Sequence, residues 1–233
     1  MKNKVLIICP TFNEAHNIEE FIHLTLGQNL NLLIVDDNSP DGTANLVKKS
    51  TSFNQNVFLI ERPSKDGLGS AYRSGFKWFL KSDFDYCVEM DADFSHRFED
   101  LENILSKVNE SDIVIGSRYI KNGGSEGWDF KRKTLSKYAN ILAKYVLKSK
   151  VNDITSGFRS FSKNALKKID FASTNTNGYG FQIEMVYLAE KNNLTINEVP
   201  IIFEERRLGK SKMNMKITFE ALMLLIKIKF KNI

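Results

Sequence analysis

Apolar runs and helical spacings alternate through the first half of the chain. Val5–Cys9, Leu32–Val35, Val57–Ile60, Tyr86–Met90 and Ile113–Ile115 read as short buried strands. Between them, Ile18, Phe21, Ile22 and Leu26 recur at helical spacing, and so do Leu101, Ile104, Leu105 and Val108. Each set puts one apolar stripe on a helix. A further helix is expected over Ala71–Leu80. This alternation predicts an α/β fold, a mostly parallel sheet with helices on both faces. Ligands of such sheets bind beyond the carboxyl ends of the strands.

Those ends are polar. The first strand runs into Pro10-Thr11-Phe12-Asn13-Glu14, and the second into Asp36-Asp37-Asn38-Ser39-Pro40-Asp41-Gly42-Thr43. The fourth runs into Asp91-Ala92-Asp93 and the fifth into Gly116-Ser117-Arg118-Tyr119. All four should converge on one edge. The second half is less regular. Gly123–Gly127 reads as a flexible loop. A helix is expected from about Lys131 to Lys148, with Leu135, Tyr138, Leu142 and Tyr145 on one side and lysines mostly opposite. Another helix should include Phe181–Lys191, and Thr195–Phe203 reads as a final strand. There is no internal repeat or low-complexity tract.

Composition narrows the class. Of 233 residues, 42% are hydrophobic and 26% charged, which excludes a disordered chain, a collagen-like repeat and a disulfide scaffold. Cys9 and Cys87 sit in apolar runs, so buried free thiols and a reducing compartment are expected. Val5–Cys9 is too short for the apolar region of a signal peptide, about 7–15 residues, and no run approaches the roughly 20 apolar residues of a spanning helix. The charge is uneven. The formal net charge is +5, yet the segment from Arg206 to the end carries +7 and the rest −2. That tail also holds Ala221-Leu222-Met223-Leu224-Leu225-Ile226. Basic and apolar together point to an anionic membrane surface rather than nucleic acid, for which no recognition motif is present.

The sharpest chemical signal is Asp91-Ala92-Asp93. Two carboxylates one residue apart at a strand end can face one divalent cation, and hard oxygen ligands suit Mg²⁺ or Mn²⁺, which also takes phosphate oxygens. Alone, the motif is more often a solvated turn with helix-capping acids; its place beside the other polar strand ends reverses that balance in favour of the cation. A carboxylate after the second strand, Asp37, can accept hydrogen bonds from a ribose or base. Asp41-Gly42-Thr43 reads as a turn and helix cap, with Asp41 a weaker binding candidate. Gly67-Leu68-Gly69-Ser70-Ala71-Tyr72 is not a dinucleotide fingerprint, because it follows the third strand and lacks the last glycine. Lys65 beside it is within reach of a phosphate.

These blocks, with Gly127-Trp128, Ser156-Gly157-Phe158-Arg159, Glu198-Val199-Pro200-Ile201 and Arg206-Arg207-Leu208-Gly209-Lys210-Ser211-Lys212, resemble the dolichol-phosphate mannosyltransferases. These are the polyprenyl-monophosphate mannose synthase branch of the family 2 inverting glycosyltransferases. The resemblance runs from about residue 5 to 212. It implies a GT-A fold, GDP-mannose as donor, dolichyl or another polyprenyl phosphate as acceptor, and work at the cytosolic membrane face as a peripheral protein. Residues 1–212 would form the catalytic domain, with 1–120 as nucleotide and metal half and 121–212 as acceptor half. Residues 213–233 would form a basic membrane-associating segment. Some relatives use separate membrane subunits, so an anchoring partner fits.

By motif, Pro10, Phe12, Glu14, Val35 and Asp37 would hold the nucleotide. Asp91 and Asp93 would bind metal and diphosphate, with the Ala92 backbone nearby. Arg118, Arg132 and Ser136 would hold the acceptor phosphate, and Arg206 and Lys212 would close over the donor phosphates. Arg159 is matched by motif without an assigned role. Phe12 stands where members often have Tyr, and Ser95 where some have Gln. The expected chemistry needs no dedicated general base, since a lipid monophosphate is largely dianionic at neutral pH; Glu184 is the base candidate otherwise. Two other readings remain at this stage: the same acceptor with a donor such as UDP-glucose, and a non-catalytic nucleotide-sugar-binding membrane adaptor.

Overall fold

The structure is a computed structural model that describes residues 4–174, 176, 178–205 and Leu225. Its centre is a seven-stranded sheet in the order β3-β2-β1-β4-β7-β5-β8. The strands are β1 (Val5–Thr11), β2 (Asn31–Asp36), β3 (Val57–Glu61), β4 (Tyr86–Glu89), β5 (Ile113–Ser117), β7 (Arg159–Ser162) and β8 (Ile196–Pro200). All run parallel except β7, which lies antiparallel between β4 and β5. A two-stranded sheet pairs β6 (Gly124–Ser125) with β9 (Ile202–Phe203).

The apolar runs form strands because both faces of the sheet are covered. Along β1, Leu6 and Ile8 face one core while Ile7 and Cys9 face the other, the two-residue alternation of a pleat. The first core is closed by α3 (Leu68–Lys81) and α7 (Tyr179–Lys191), through Tyr72, Phe76, Phe79 and Phe181. The second is closed by α1 (Ile18–Gly27) and α4 (Phe98–Leu105), through Ile18, Phe21, Leu101 and Ile104. Each of these side chains contributes about 1.5–3 kcal/mol by leaving water. Gly75 lets α3 lie directly on β1: a Cβ there would stand 2.6 Å from Ile8 Cγ2. Gly69 does the same for the chain before α7, where a Cβ would meet the Thr176 carbonyl at 2.7 Å.

The expected strands and helices are present, with α2 (Thr43–Lys49), α5 (Phe130–Leu147) and α6 (Lys163–Lys168) completing the set. Three features differ from the sequence reading. The expected strand Thr195–Phe203 breaks at Ile201, giving β8 to the main sheet and β9 to the small one. The loop expected over Gly123–Gly127 supplies β6. And β7 was not expected. Being antiparallel, it brings its preceding Ser156-Gly157-Phe158 to the same edge as the carboxyl ends of β1, β4 and β5.

Helix α5 is unusual. Its buried side chains are Asn140 and Ala143. Its apolar row faces outward: Phe130, Leu135, Tyr138, Ile141, Leu142 and Tyr145 are between 45% and 82% exposed. Of the C-terminal segment 213–233 only Leu225 is described, and it is buried. No helix among the described residues is long and apolar enough to cross a membrane.

Candidate active site

Strand order reverses between β1 and β4, and beyond the carboxyl ends of strands at such a switch point open α/β sheets form their binding crevice. The chain after β1 and the chain after β2 are knitted into one wall of it. Thr11 Oγ1 donates to Asp36 Oδ1 at 2.7 Å, and Ser39 donates to the same carboxylate through N–H and Oγ. Asn13 N–H reaches Ser39 Oγ, Glu14 N–H reaches Thr43 Oγ1, and Ala15 N–H reaches Asp41 Oδ2. Asp41 also accepts from the Thr43 amide and hydroxyl, so it is occupied as the cap of α2. Pro10 stands beside Val35 across the β1–β2 ladder, with Val35 fully buried in the sheet.

Asp37 sits inside this wall. Arg62 Nη1 donates to Asp37 Oδ1 at 2.6 Å, and both side chains are nearly closed to solvent. Burial raises the Asp37 carboxyl above its usual range, against the pull of Arg62. Arg62 also donates to Ser70 and Asp66, tying the loop after β3 to α3. The sequence reading missed Arg62; the available signal was a basic residue directly after the third strand. The Lys65 ammonium lies 3.7 Å from the centre of the Phe12 ring, a cation–π contact, so the expected phosphate reach is here directed over an aromatic face.

Asp91, Ala92 and Asp93 follow β4. Ser95 donates to Asp93 Oδ1 through both N–H and Oγ, the latter at 2.6 Å. The Asp91 amide donates to His96 Nδ1 at 3.2 Å. The Cys9 thiol is pushed far up by burial and, to a smaller extent, by the charges of Asp91, Glu14 and Asp93. Among the described residues no cluster of three or more His, Cys, Asp or Glu side chains is built to hold a metal. Two carboxylates fit a hard cation that completes its shell with diphosphate oxygens and water.

The acceptor candidates meet on the other side. Arg118 donates to Asp153 through Nε and Nη2, each at 2.7 Å, and its amide donates to Asp153 as well. Its guanidinium lies 5.2–5.6 Å from the rings of Tyr119, Trp128 and Phe203. Arg132 stacks 4.1 Å from the Trp128 ring and pairs with Glu205 at 3.1 Å. Tyr119 donates its hydroxyl to Ser136 Oγ at 2.7 Å. Arg118, Arg132 and Ser136 are therefore joined by Trp128 and Tyr119. Two donors in this cage, Arg132 Nε and Trp128 Nε1, are buried with no hydrogen-bond partner among the described residues. Buried donors of this kind are costly to leave unpaired, so an acceptor oxygen that reached them would be held favourably. Glu184 accepts from the Thr176 amide and hydroxyl. Arg206 and Lys212 lie outside the described residues.

Beneath the crevice, Glu89 and Arg159 face each other across β4 and β7, both fully buried. Gln182 Nε2 donates to Glu89, and Arg159 donates to the Gln182 and Ile154 carbonyls. Arg159 thus has a structural place. Burial drives the Glu89 carboxyl up to about 8 despite Arg159, and drives Arg159 down to about 10. An unfolded Glu titrates near about 4.3. A carboxyl raised in the folded state stabilises most below that value, and the contribution is lost as pH rises through about 8. Glu89→Gln therefore flattens the decline of unfolding free energy between about pH 4.5 and pH 8. Denaturant titrations across that range check this, and an unchanged slope contradicts it.

The parallel sheet with one reversed strand, its polar edge and its paired carboxylates define a GT-A fold of the nucleotide-sugar transferase class. The chain belongs to glycosyl transferase family 2, whose sequence model matches residues 6–170. It is 40% identical over 224 residues to the polyprenol monophosphomannose synthase of Mycolicibacterium smegmatis, covering 94% of this chain and 84% of that protein. It is equally 40% identical over 224 residues to the undecaprenyl-phosphate mannosyltransferase of Micrococcus luteus, covering 94% of this chain and 90% of that protein. Among solved structures, a mannosyltransferase from Pyrobaculum calidifontis in complex with GDP-Man and Mn²⁺ shares the fold, with a TM-score of 0.63 at 16% identity over 99% of this chain and 65% of that one. The protein is a glycosyltransferase.

Proposed function

We propose that this enzyme transfers mannose, with inversion, from GDP-mannose to the phosphate of a polyprenyl phosphate. The observation that carries this reading is the aromatic cage around Arg118, Arg132 and Ser136, with its two orphaned buried donors, on the same edge as Asp91 and Asp93. Guanidinium groups match phosphate geometry. The relatives named above support mannose as the sugar and a polyprenyl phosphate as acceptor, and the Pyrobaculum structure supports GDP-mannose with a divalent cation.

A divalent cation, Mg²⁺ or Mn²⁺, held by Asp91 and Asp93, would neutralise the charge that builds on the departing diphosphate. Asp37, Phe12 and the 10–14 and 36–43 loops hold the nucleotide in the crevice. Arg132 and Ser136 present the acceptor phosphate, while Arg118, locked by Asp153, fixes the cage. A phosphate oxygen attacks the anomeric carbon, and GDP leaves with the electrons of the broken bond. The acceptor's second pKa is about 6, so it attacks without a protein base. Alignment and charge neutralisation supply most of the catalysis. The occupied Glu184 carboxylate is consistent with that. Movement of label from GDP-mannose into a lipid extract tests the reading; label that stays aqueous refutes it.

Such an acceptor keeps its phosphate at the membrane surface. The outward apolar row of α5, with Lys131 within it and Lys133 and Lys137 exposed along one flank, suits an anionic leaflet, with Arg132 and Ser136 on the same helix. The reading is a peripheral protein on the cytosolic face, with the basic tail 213–233 adding attraction and room for an anchoring subunit. Tyr138→Glu with Tyr145→Glu should cut co-sedimentation with anionic vesicles several-fold, as should deletion of 216–233. Unchanged binding in both contradicts the membrane assignment.

A further inference from the structure

We propose that His96 and Phe203 are positioning residues that tie the cation-binding turn to the acceptor cage. The inference rests on the reading of Asp91 and Asp93 as the cation site, and adds a mechanical link that the reading does not require.

Several bonds hold the turn from Asp91 to His96, and they come from two directions. Within the turn, Ser95 orients Asp93. Across it, His96 Nδ1 accepts the Asp91 amide, which leaves the ring proton of the neutral imidazole on Nε2. His96 is 3% exposed. Its ring stacks on Phe158 at 4.8 Å and 14°, and meets the Phe203 ring edge-on at 5.5 Å and 79°. Phe158 belongs to the chain entering β7, which pairs directly with β4. The imidazole is therefore clamped before it reaches Asp91, and the Asp91 backbone inherits that rigidity.

Phe203 continues the line. Its ring meets Trp128 edge-on at 5.3 Å and lies 5.6 Å from the Arg118 guanidinium. The backbone of the same segment repeats the link. His96 and Phe203 form an antiparallel bridge, and Glu204 N–H donates to the Ser95 carbonyl at 3.0 Å. On the opposite side Glu126 N–H donates to the Phe203 carbonyl at 2.8 Å, and Gly124 N–H to the Ile201 carbonyl at 2.9 Å. Glu205 closes on Arg132. Five residues, 201–205, thus join the cation turn on one flank to the acceptor loop and α5 on the other. A solvated or purely packing histidine needs neither the bond to Asp91 nor this continuity. Groups that orient ligands from behind are worth roughly 10–100-fold in metal affinity.

The test is Mn²⁺ binding in the presence of GDP, read from the electron paramagnetic resonance of free Mn²⁺, together with steady-state kinetics. Asp91→Asn should abolish binding. His96→Phe, which keeps the stacked ring and loses the acceptor atom, should weaken Mn²⁺ about tenfold. His96→Asn, whose Oδ1 stands where Nδ1 stood, should stay within about threefold of the unaltered protein. Phe203→Leu should raise the polyprenyl phosphate KM about fivefold at saturating donor, with kcat changed less. Where His96→Phe does not fold, Phe203→Leu carries the test alone.

Mn²⁺ affinity unchanged in His96→Phe, equal losses in His96→Phe and His96→Asn, or an unchanged acceptor KM in Phe203→Leu overturns the link. In each of those cases the cation reading survives, since the unaltered protein binds Mn²⁺ and Asp91→Asn does not. If the unaltered protein binds no Mn²⁺ with GDP, the cation reading falls and the link falls with it.

Discussion

Asp91→Asn lowers kcat by about 10²–10³-fold while leaving the fold intact, because the substitution keeps the side-chain shape and removes the charge that faces the leaving group. The Asp91 backbone is held independently, its amide bonded to His96 and its strand paired to β1 and β7. The folded state therefore loses little. The transition state loses more, since negative charge grows on the diphosphate oxygen as the glycosidic bond lengthens. Asp93→Asn should be similarly inactive and also less stable: Asp93 is buried and its Oδ1 takes both bonds from Ser95. Single-turnover rates beside thermal unfolding curves check the contrast. An Asp91→Asn enzyme with near-normal kcat removes the carboxylate from the chemistry.

Asp153→Ala gives the largest expected loss of stability. Asp153 is fully buried and accepts three hydrogen bonds from Arg118, one from its amide and two from its guanidinium. Removing one partner of a buried pair leaves an uncompensated charge, which costs about 3–5 kcal/mol. That is a large share of the roughly 5–15 kcal/mol that holds a domain folded. For a chain of this size it corresponds to a fall in Tm of roughly 10 °C. Asp153→Asn, which keeps the acceptor oxygen, should lose less. The cage should fail with the pair, because Arg118 is the group that Tyr119, Trp128 and Phe203 pack around. A loss below about 1 kcal/mol by denaturant titration would show that Arg118 finds other partners, against the buried geometry.

The parallel core was legible because its strands are buried on both faces. Val5–Cys9 and Leu32–Val35 must be apolar throughout, and a continuous apolar run is a strong signal. Strand β7 was not legible for the opposite reason. It reads Arg-Ser-Phe-Ser, and its Arg159 is buried only because Glu89 and Gln182 meet it across the sheet and from α7. No local pattern announces a buried charge whose partner is 70 residues away. The break at Ile201 was hidden similarly, since Ile201-Ile202-Phe203 simply extends the apolar character of the strand while the two ends of Thr195–Phe203 join different sheets.

The site divides the same way. The strand ends flagged the polar wall after β1 and β2 and the paired carboxylates after β4 directly. Arg118, Arg132 and Ser136 came from the family resemblance, and their assembly depends on Trp128 and Tyr119, which spacing alone does not bring together. Arg62, Asp153 and His96 were missed because each acts through another residue, and such partners show themselves only once the chain is folded.

The measurement closest to the central claim is transfer of labelled mannose. The enzyme, Mn²⁺ and a polyprenyl phosphate are incubated with labelled GDP-mannose, and in parallel with labelled UDP-glucose. Label should enter the organic phase from GDP-mannose, require the lipid phosphate, and fall by about 10²–10³-fold in Asp91→Asn. Label entering from UDP-glucose alone, or from neither donor with all components present, contradicts the assignment.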